Sequence, residues 1–168
     1  TENLQIQIKT FFGLEEVLEA EIKKLGGRNV EIKNRAVNCV GDLGFLYKIN
    51  YAARTAVKIL VPFFEFKAYN EQKFYEKLYR LDWSEFLSID QTFAIDATVY
   101  SERFTHSQFM TLKMKDAIVD SFQEKFNKRP SVDAKNPDIK FHLHIDRDLV
   151  TISLDSSGDP LFKRGYRK

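Results

Sequence analysis

Two α+β units in tandem are the fold class this sequence predicts, and three observations predict it. Over roughly its first third, apolar residues alternate and then recur at helical spacing in the order β-α-β-β-α-β. Near Lys67 the pattern restarts with a helix, a strand, a long helix and two closing strands. The composition, 43% hydrophobic and 14% aromatic with four Pro in 168 residues, is that of a chain with a core and not of a low-complexity linker.

Leu4-Gln5-Ile6-Gln7-Ile8 alternates apolar and polar as a half-buried strand does. After Gly13, the residues Leu14, Val17, Leu18, Ile22 and Leu25 fall on one helical face. Glu15 and Glu16 suit the positive end of the helix dipole, and Lys23 and Lys24 precede a Gly26-Gly27 stop. Val30-Glu31-Ile32 and Ala36-Val37-Asn38-Cys39-Val40 read as strands around a Lys33-Asn34-Arg35 turn. Phe45, Leu46, Ile49, Ala52 and Ala53 mark a second amphipathic helix, and Lys58-Ile59-Leu60-Val61 a closing strand. This order is the split β-α-β, ferredoxin-like arrangement, with both helices on one sheet face, and it is assigned to residues 1–66.

In the second unit, residues 67–155, a helical pattern runs through Phe74, Leu78 and Leu81 toward Trp83. Phe93, Ile95, Ala97 and Val99 share one face of a strand and Asp96, Thr98 and Tyr100 the other. Thr105 and Gln108 are spaced as a capping box at the start of a long helix whose inward face is Met110, Met114, Ala117, Ile118, Phe122 and Phe126. Pro130 and Pro137 break the next segment. Ile139, Phe141, Leu143 and Ile145 then alternate with polar residues, Asp146-Arg147-Asp148 turns the chain, and Val150, Ile152 and Leu154 form the return strand. Residues 156–168 are polar, turn-rich and basic, and read as a linker.

The formal net charge of +2 is too small to announce a nucleic-acid binder, but its distribution is uneven. Residues 101–129 hold six bases against four acids and residues 156–168 four bases against one, while residues 63–100 hold seven acids against four bases. Ordinary surface variation accounts for such imbalances as well as a binding face does. A single cysteine, Cys39, excludes an internal disulfide and a Cys zinc cluster, and fits the reducing cytoplasm. Its neighbours Val37 and Val40 mark it as a buried, inert thiol. No apolar run approaches the ~20 residues of a membrane span, and the first residues lack a signal segment.

Signals for catalysis are weak. His142 and His144 lie two apart on a strand with Asp146 in the same parity, the spacing of a metal pair, yet a solvent-facing polar stripe explains them better. His106 stands alone, no Ser or Cys sits in a nucleophile motif, and Gly26-Gly27 lacks the spacing of a dinucleotide fingerprint. What remains is a basic helix start, Ser101 to Ser107, continuing into Lys113 and Lys115. Free N–H groups and Arg103 there suit phosphate, though a solvated, capped helix accounts for the same residues. Lys113 and Lys115 lie about 200° apart around a helix, so at most one faces a common ligand.

Several segments occur together in an order that resembles a known family. They are Phe12-Gly13-Leu14-Glu15-Glu16-Val17-Leu18, Ala53-Arg54-Thr55-Ala56, Leu81-Asp82-Trp83, His106-Ser107-Gln108-Phe109, Lys113 with Lys115 to Asp120, Arg129-Pro130, and the terminal Lys163-Arg164-Gly165-Tyr166-Arg167. This set resembles the THUMP-containing amino-terminal region of bacterial 23S rRNA guanine-N2 methyltransferases, a family also described as adenine-specific DNA methylases. Glu102 departs from the small or basic residue usual after the strand serine.

The resemblance implies a ferredoxin-like domain followed by an α/β THUMP domain that grips structured RNA and presents it to a catalytic domain using S-adenosylmethionine. It maps Arg103, His106, Lys113 and Lys115 to the basic helix-start region and Lys163, Arg164 and Arg167 to the interdomain linker, and these seven with Arg129 are the expected RNA-binding residues, without assigning any one of them its own contact. On this reading the catalytic domain lies outside residues 1–168, which neither bind the cofactor nor methylate. The expected partners are structured RNA, 23S rRNA in particular, and the missing methyltransferase domain. Two other readings stay open: a protein-interaction module that docks the catalytic domain without touching RNA, and the substrate domain of a DNA methylase.

Overall fold

The computed structural model describes residues 3–104 and 106–157. The chain forms two compact units, one from the residues up to Pro62 together with those from Asp155, the other from Phe63–Leu154.

The first unit contains β1 (Leu4–Lys9), α1 (Glu15–Lys24), β2 (Arg28–Lys33), β3 (Ala36–Gly41), α2 (Leu43–Ala52) and the first half of β4 (Lys58–Lys67). Its strand order is β2-β3-β1-β4 with antiparallel neighbours, the ferredoxin-like arrangement expected from the sequence. Helix α1 ends as its glycines require. Gly26 adopts φ 106°, its N–H reaches the Lys23 carbonyl, and the Gly27 N–H reaches the Ile22 carbonyl, so two otherwise orphaned acceptors are satisfied. Asp42 caps α2 by accepting from the Phe45 N–H at 2.8 Å. Both helices pack against β3, and Ile6, Ile8, Leu18, Ile22, Leu46 and Ile49 make up the core.

The second unit continues β4 and adds α3 (Glu71–Arg80), a 3-10 turn α′ at Trp83–Glu85, β5 (Thr92–Tyr100), α4 (Ser107–Phe126), β6 (Ser131–Val132), β7 (Ile139–Asp146) and β8 (Leu149–Asp155). Its strand order is β4-β8-β7-β5-β6. Strand β7 runs parallel to β5, with Asp96 opposite His142 and Thr98 opposite His144, and antiparallel to β8. The long α4 supplies the crossover that a parallel pair requires. Trp83, Phe93 and Phe141 form an aromatic core with Phe74 and Leu78 of α3 and Met110, Met114, Ala117, Ile118 and Phe122 of α4.

Five features depart from the sequence-based expectation. Strand β4 runs on through Pro62 to Lys67, because proline's fixed φ suits extended backbone and costs the ladder only one donor. Helix α3 stops at Arg80, where Leu81 turns to extended φ and ψ before the turn at Trp83. Phe126, read as inward-facing, is 48% exposed, because it occupies the last helical position before Asn127 turns left-handed at φ 58°. Strand β6 falls in a segment read as broken by Pro130 and Pro137; the two prolines only bound it. At the start of α4 the N-cap is His106, whose side chain makes no cap hydrogen bond. The capping partner assigned from sequence, Thr105, lies outside the described residues.

Candidate nucleic-acid interface

The β5–α4 connection is held by Ser101, whose hydroxyl oxygen accepts from the Arg103 and Phe104 N–H groups at 3.1 and 3.3 Å. The turn buries Phe104 against Phe74 and turns Arg103 outward. Arg103 Nε lies 2.8 Å from Asp148 Oδ1, and a second nitrogen donates to the Tyr69 carbonyl at 3.3 Å. The guanidinium also lies 5.7 Å from the centre of the Tyr69 ring. The β7–β8 turn that carries Asp148 is itself pinned: the Arg147 N–H reaches the Tyr100 carbonyl at 2.7 Å, and the Asp148 carbonyl accepts from the Ala68 N–H at 2.9 Å.

A second group forms where α3 meets α4. Lys113 Nζ lies 6.0 Å from the centre of the Tyr75 ring and 5.9 Å from that of Phe109. The Tyr75 hydroxyl donates to Asp120 at 2.5 Å, and Asp120 also pairs with Arg129 at 3.4 Å. Burial, followed by the bond to the Asp120 carboxylate, pushes the Tyr75 phenol up to about 12. Lys113 and Arg129 are thus joined through Tyr75 and Asp120. Lys115 pairs with Asp116 at 3.4 Å and stands apart, as its helical offset requires. His106 is exposed at the helix start. Lys163, Arg164 and Arg167 lie outside the described residues.

Tyr69, Tyr75, Phe109, Asp120 and Asp148 were not among the site residues expected from the sequence, although Phe109 and Asp120 lie in the segments that carry the family resemblance and Asp148 in the expected turn. Part of this was legible: Phe109, Lys113 and Asp120 are spaced by four and seven positions, which on a helix is one face. The roles of Tyr69 and Asp148 had no local signal, since the chain brings them to Arg103 from 34 and 45 residues away in sequence.

The histidine pair is not the solvent-facing stripe expected. His142 is 4% exposed and its Nδ1 lies 3.1 Å from Asp96 Oδ1, because the parallel β5–β7 register sets these two side by side. Among the described residues no group of three His, Cys, Asp or Glu side chains is arranged to hold a metal ion. Cys39 is a free, buried thiol that burial pushes up to about 11, well away from the reactive thiolate range. Among the described residues no helix is long and apolar enough to cross a membrane.

The first unit is ferredoxin-like, and in the second the helix start and one helix face gather cations beside aromatic rings. Residues 68–155 match the THUMP domain and residues 5–60 the RlmL ferredoxin-like domain. The chain belongs to the THUMP-domain family. It is 40% identical over 155 residues to the ribosomal RNA large subunit methyltransferase K/L of Syntrophotalea carbinolica, covering 92% of this chain and 22% of that protein. It is 37% identical over 155 residues to a candidate RNA methyltransferase of Synechocystis, covering 92% of this chain and 40% of the relative. Among solved structures, a possible methylase from Clostridium difficile superposes with TM-score 0.79 at 27% identity, over 99% of this chain and 45% of that one. The chain therefore spans less than half the length of each of these relatives.

Proposed function

We propose that this chain is the RNA-holding, substrate-presenting part of an S-adenosylmethionine-dependent methyltransferase acting in the cytoplasm on ribosomal RNA, with 23S rRNA as the substrate. The observation that carries the reading is the 40% identity, across 92% of the chain, to a protein named for methylating large-subunit ribosomal RNA. In this proposal residues 1–66 and 67–155 are the two domains, residues 156–168 lead to the catalytic domain, and cofactor binding and chemistry belong to that further domain.

Holding RNA needs phosphate contacts and shape complementarity more than base reading, because a folded RNA helix hides its major groove. Arg103 offers an oriented guanidinium at the start of a 20-residue helix, where unpaired N–H groups favour an anion. Lys113 and Arg129 offer a second basic point beside the Tyr75 and Phe109 rings, with Lys115 and His106 as outlying contacts. Lys163, Arg164 and Arg167 complete the proposed basic set.

One observation favours a competing reading. Arg103, Lys115 and Arg129 each already face a carboxylate, which lowers the field the surface offers to phosphate and suits a module that docks the catalytic domain without touching RNA.

Fluorescence anisotropy of residues 1–168 with a ribosomal RNA hairpin, an equal-length DNA duplex and a salt series separates the readings. The expected result is binding that prefers RNA, weakens in an Arg103→Ala/Lys113→Ala variant, and falls with salt at a log–log slope of roughly −2 to −4 for a few neutralised phosphates. Absence of binding at low salt would assign the chain to domain docking, and preference for the duplex would assign it to DNA. Calorimetry with S-adenosylmethionine is expected to give no stoichiometric binding.

A further inference from the structure

We infer that the Phe11–Phe12 loop of the first unit is a stacking platform for an unpaired nucleobase of the bound RNA, an inference that rests on the RNA-holding reading above. The loop lies outside the THUMP-matched residues 68–155, so the first unit would contribute its own contact to RNA.

Phe11 is 66% exposed and Phe12 74%, two adjacent large apolar rings facing water. A scattered exposed Phe needs no explanation, but a pair held out on a braced loop does. The bracing is extensive. The Leu14 N–H reaches the Phe11 carbonyl at 3.1 Å around Gly13, whose φ of 95° admits glycine readily. Glu15 accepts from the Gly13 N–H at 2.8 Å and from the Arg35 N–H at 3.0 Å, tying the loop to the β2–β3 turn. The Thr10 N–H reaches the Arg35 carbonyl at 2.9 Å, and the Thr10 hydroxyl donates to the Thr55 carbonyl at 2.6 Å. The loop therefore has little freedom to fold its rings away.

The chemistry around the rings selects the partner. The Arg35 guanidinium lies 5.9 Å from the centre of the Phe12 ring, and exposed Arg54 sits on the 53–57 segment that Thr10 anchors. The Glu15 carboxylate is turned onto backbone N–H groups. Aromatic faces beside cations, with the Glu15 carboxylate engaged by backbone N–H groups, complement a base linked to phosphate better than an apolar protein helix. Every base has a π-face, so such a platform holds single-stranded or frayed positions without reading sequence, and Arg adds a cation–π contribution.

The test uses residues 1–168 with two RNA hairpins of identical stem, one blunt and one carrying a short unpaired extension that contains 2-aminopurine. Wild-type protein is expected to bind the extended hairpin about ten-fold more tightly than the blunt one and to quench the 2-aminopurine fluorescence. Phe12→Leu, which keeps an apolar side chain but removes the ring, is expected to lose both the advantage and the quenching while binding the blunt hairpin as wild type does. Arg35→Ala is expected to lose part of the advantage. Wild-type binding to both hairpins with equal affinity, or an advantage undiminished in Phe12→Leu, would overturn the platform and leave the RNA-holding reading standing. Failure to bind either hairpin would overturn both. A Phe12 requirement for capturing the separately made catalytic domain, without any effect on RNA, would identify the loop as a protein-docking face and reject the platform.

Discussion

Arg103 Nε and Asp148 Oδ1 lie 2.8 Å apart, and this contact, with the Tyr69 carbonyl and ring, fixes the plane of the guanidinium while leaving the side chain 55% exposed. A carboxylate beside a proposed phosphate ligand acts in two opposed ways. It lowers the local positive field, and it orients the donors that remain.

Replacing Asp148 by Asn sets these effects against each other. If Arg103 contacts phosphate, loss of orientation outweighs the removed negative charge, and Asp148→Asn binds the RNA hairpin about three- to ten-fold more weakly than wild type. In an Arg103→Ala background the same change should bind no more weakly than Arg103→Ala alone. Because Arg103 is exposed and Asp148 only half-buried, neither variant is expected to cost more than about 1 kcal/mol of stability by denaturant melting. Tighter binding by Asp148→Asn would show that field, and not orientation, governs this site.

Tyr75 is expected to ionise near pH 12, well above an ordinary tyrosine, as followed by ultraviolet absorbance. Its folded-state pKa is raised, so the associated stability is fully present below the unfolded value of about 10 and is lost as the pH climbs through the folded value. Asp120→Asn should bring the transition down toward the ordinary range. An unchanged transition in that variant would leave burial, with the Asp116 carboxylate, as the cause.

Glu21 on α1 accepts hydrogen bonds from the Arg54 N–H, the Thr55 N–H and the Thr55 hydroxyl, at 3.1, 3.3 and 2.6 Å. Burial pushes its carboxyl up, but these bonds together outweigh burial and hold it below the ordinary glutamate value of 4.5. The stability it contributes is therefore present above that value and is lost as pH falls through the lower folded one. Thermal melts between neutral and acid pH should show a smaller acid loss in Glu21→Gln than in wild type. Parallel curves would remove Glu21 from the acid response.

Trp83 is the only tryptophan, is buried, and donates its indole N–H to the Leu78 carbonyl at 2.7 Å. Its ring meets Phe141 edge-on with centroids 5.2 Å apart. Phe141→Ala is expected to cost about 3–5 kcal/mol, read as a lower urea midpoint of the Trp83 fluorescence transition. A loss below about 1 kcal/mol would mean that the surrounding rings collapse into the space.

Much of the fold can be read along the chain because the features that specify it are local. The alternation of Leu4 to Ile8, the helical spacing from Leu14 to Leu25, the Gly26-Gly27 stop and the two-residue period of Ile139 to Ile145 each act within one element. The order of those elements then restricts the first unit to its split β-α-β topology. The cations of the candidate interface were also visible, because helix periodicity already separates Lys113 from Lys115.

What those cations are attached to was decided only by tertiary structure. Asp148 reaches Arg103 through the β7–β8 turn, Tyr75 reaches Asp120 from another helix, and Asp96 meets His142 through the register of two parallel strands. The alternation of Ile139 to Ile145 sets the face on which His142 lies, but which residue of β5 meets it depends on the pairing of two strands distant in sequence. Sequence by itself determined the elements, their order and the supply of charge. Long-range packing determined which charges are oriented, which are neutralised and which rings, Phe11 and Phe12 among them, remain exposed on a braced loop.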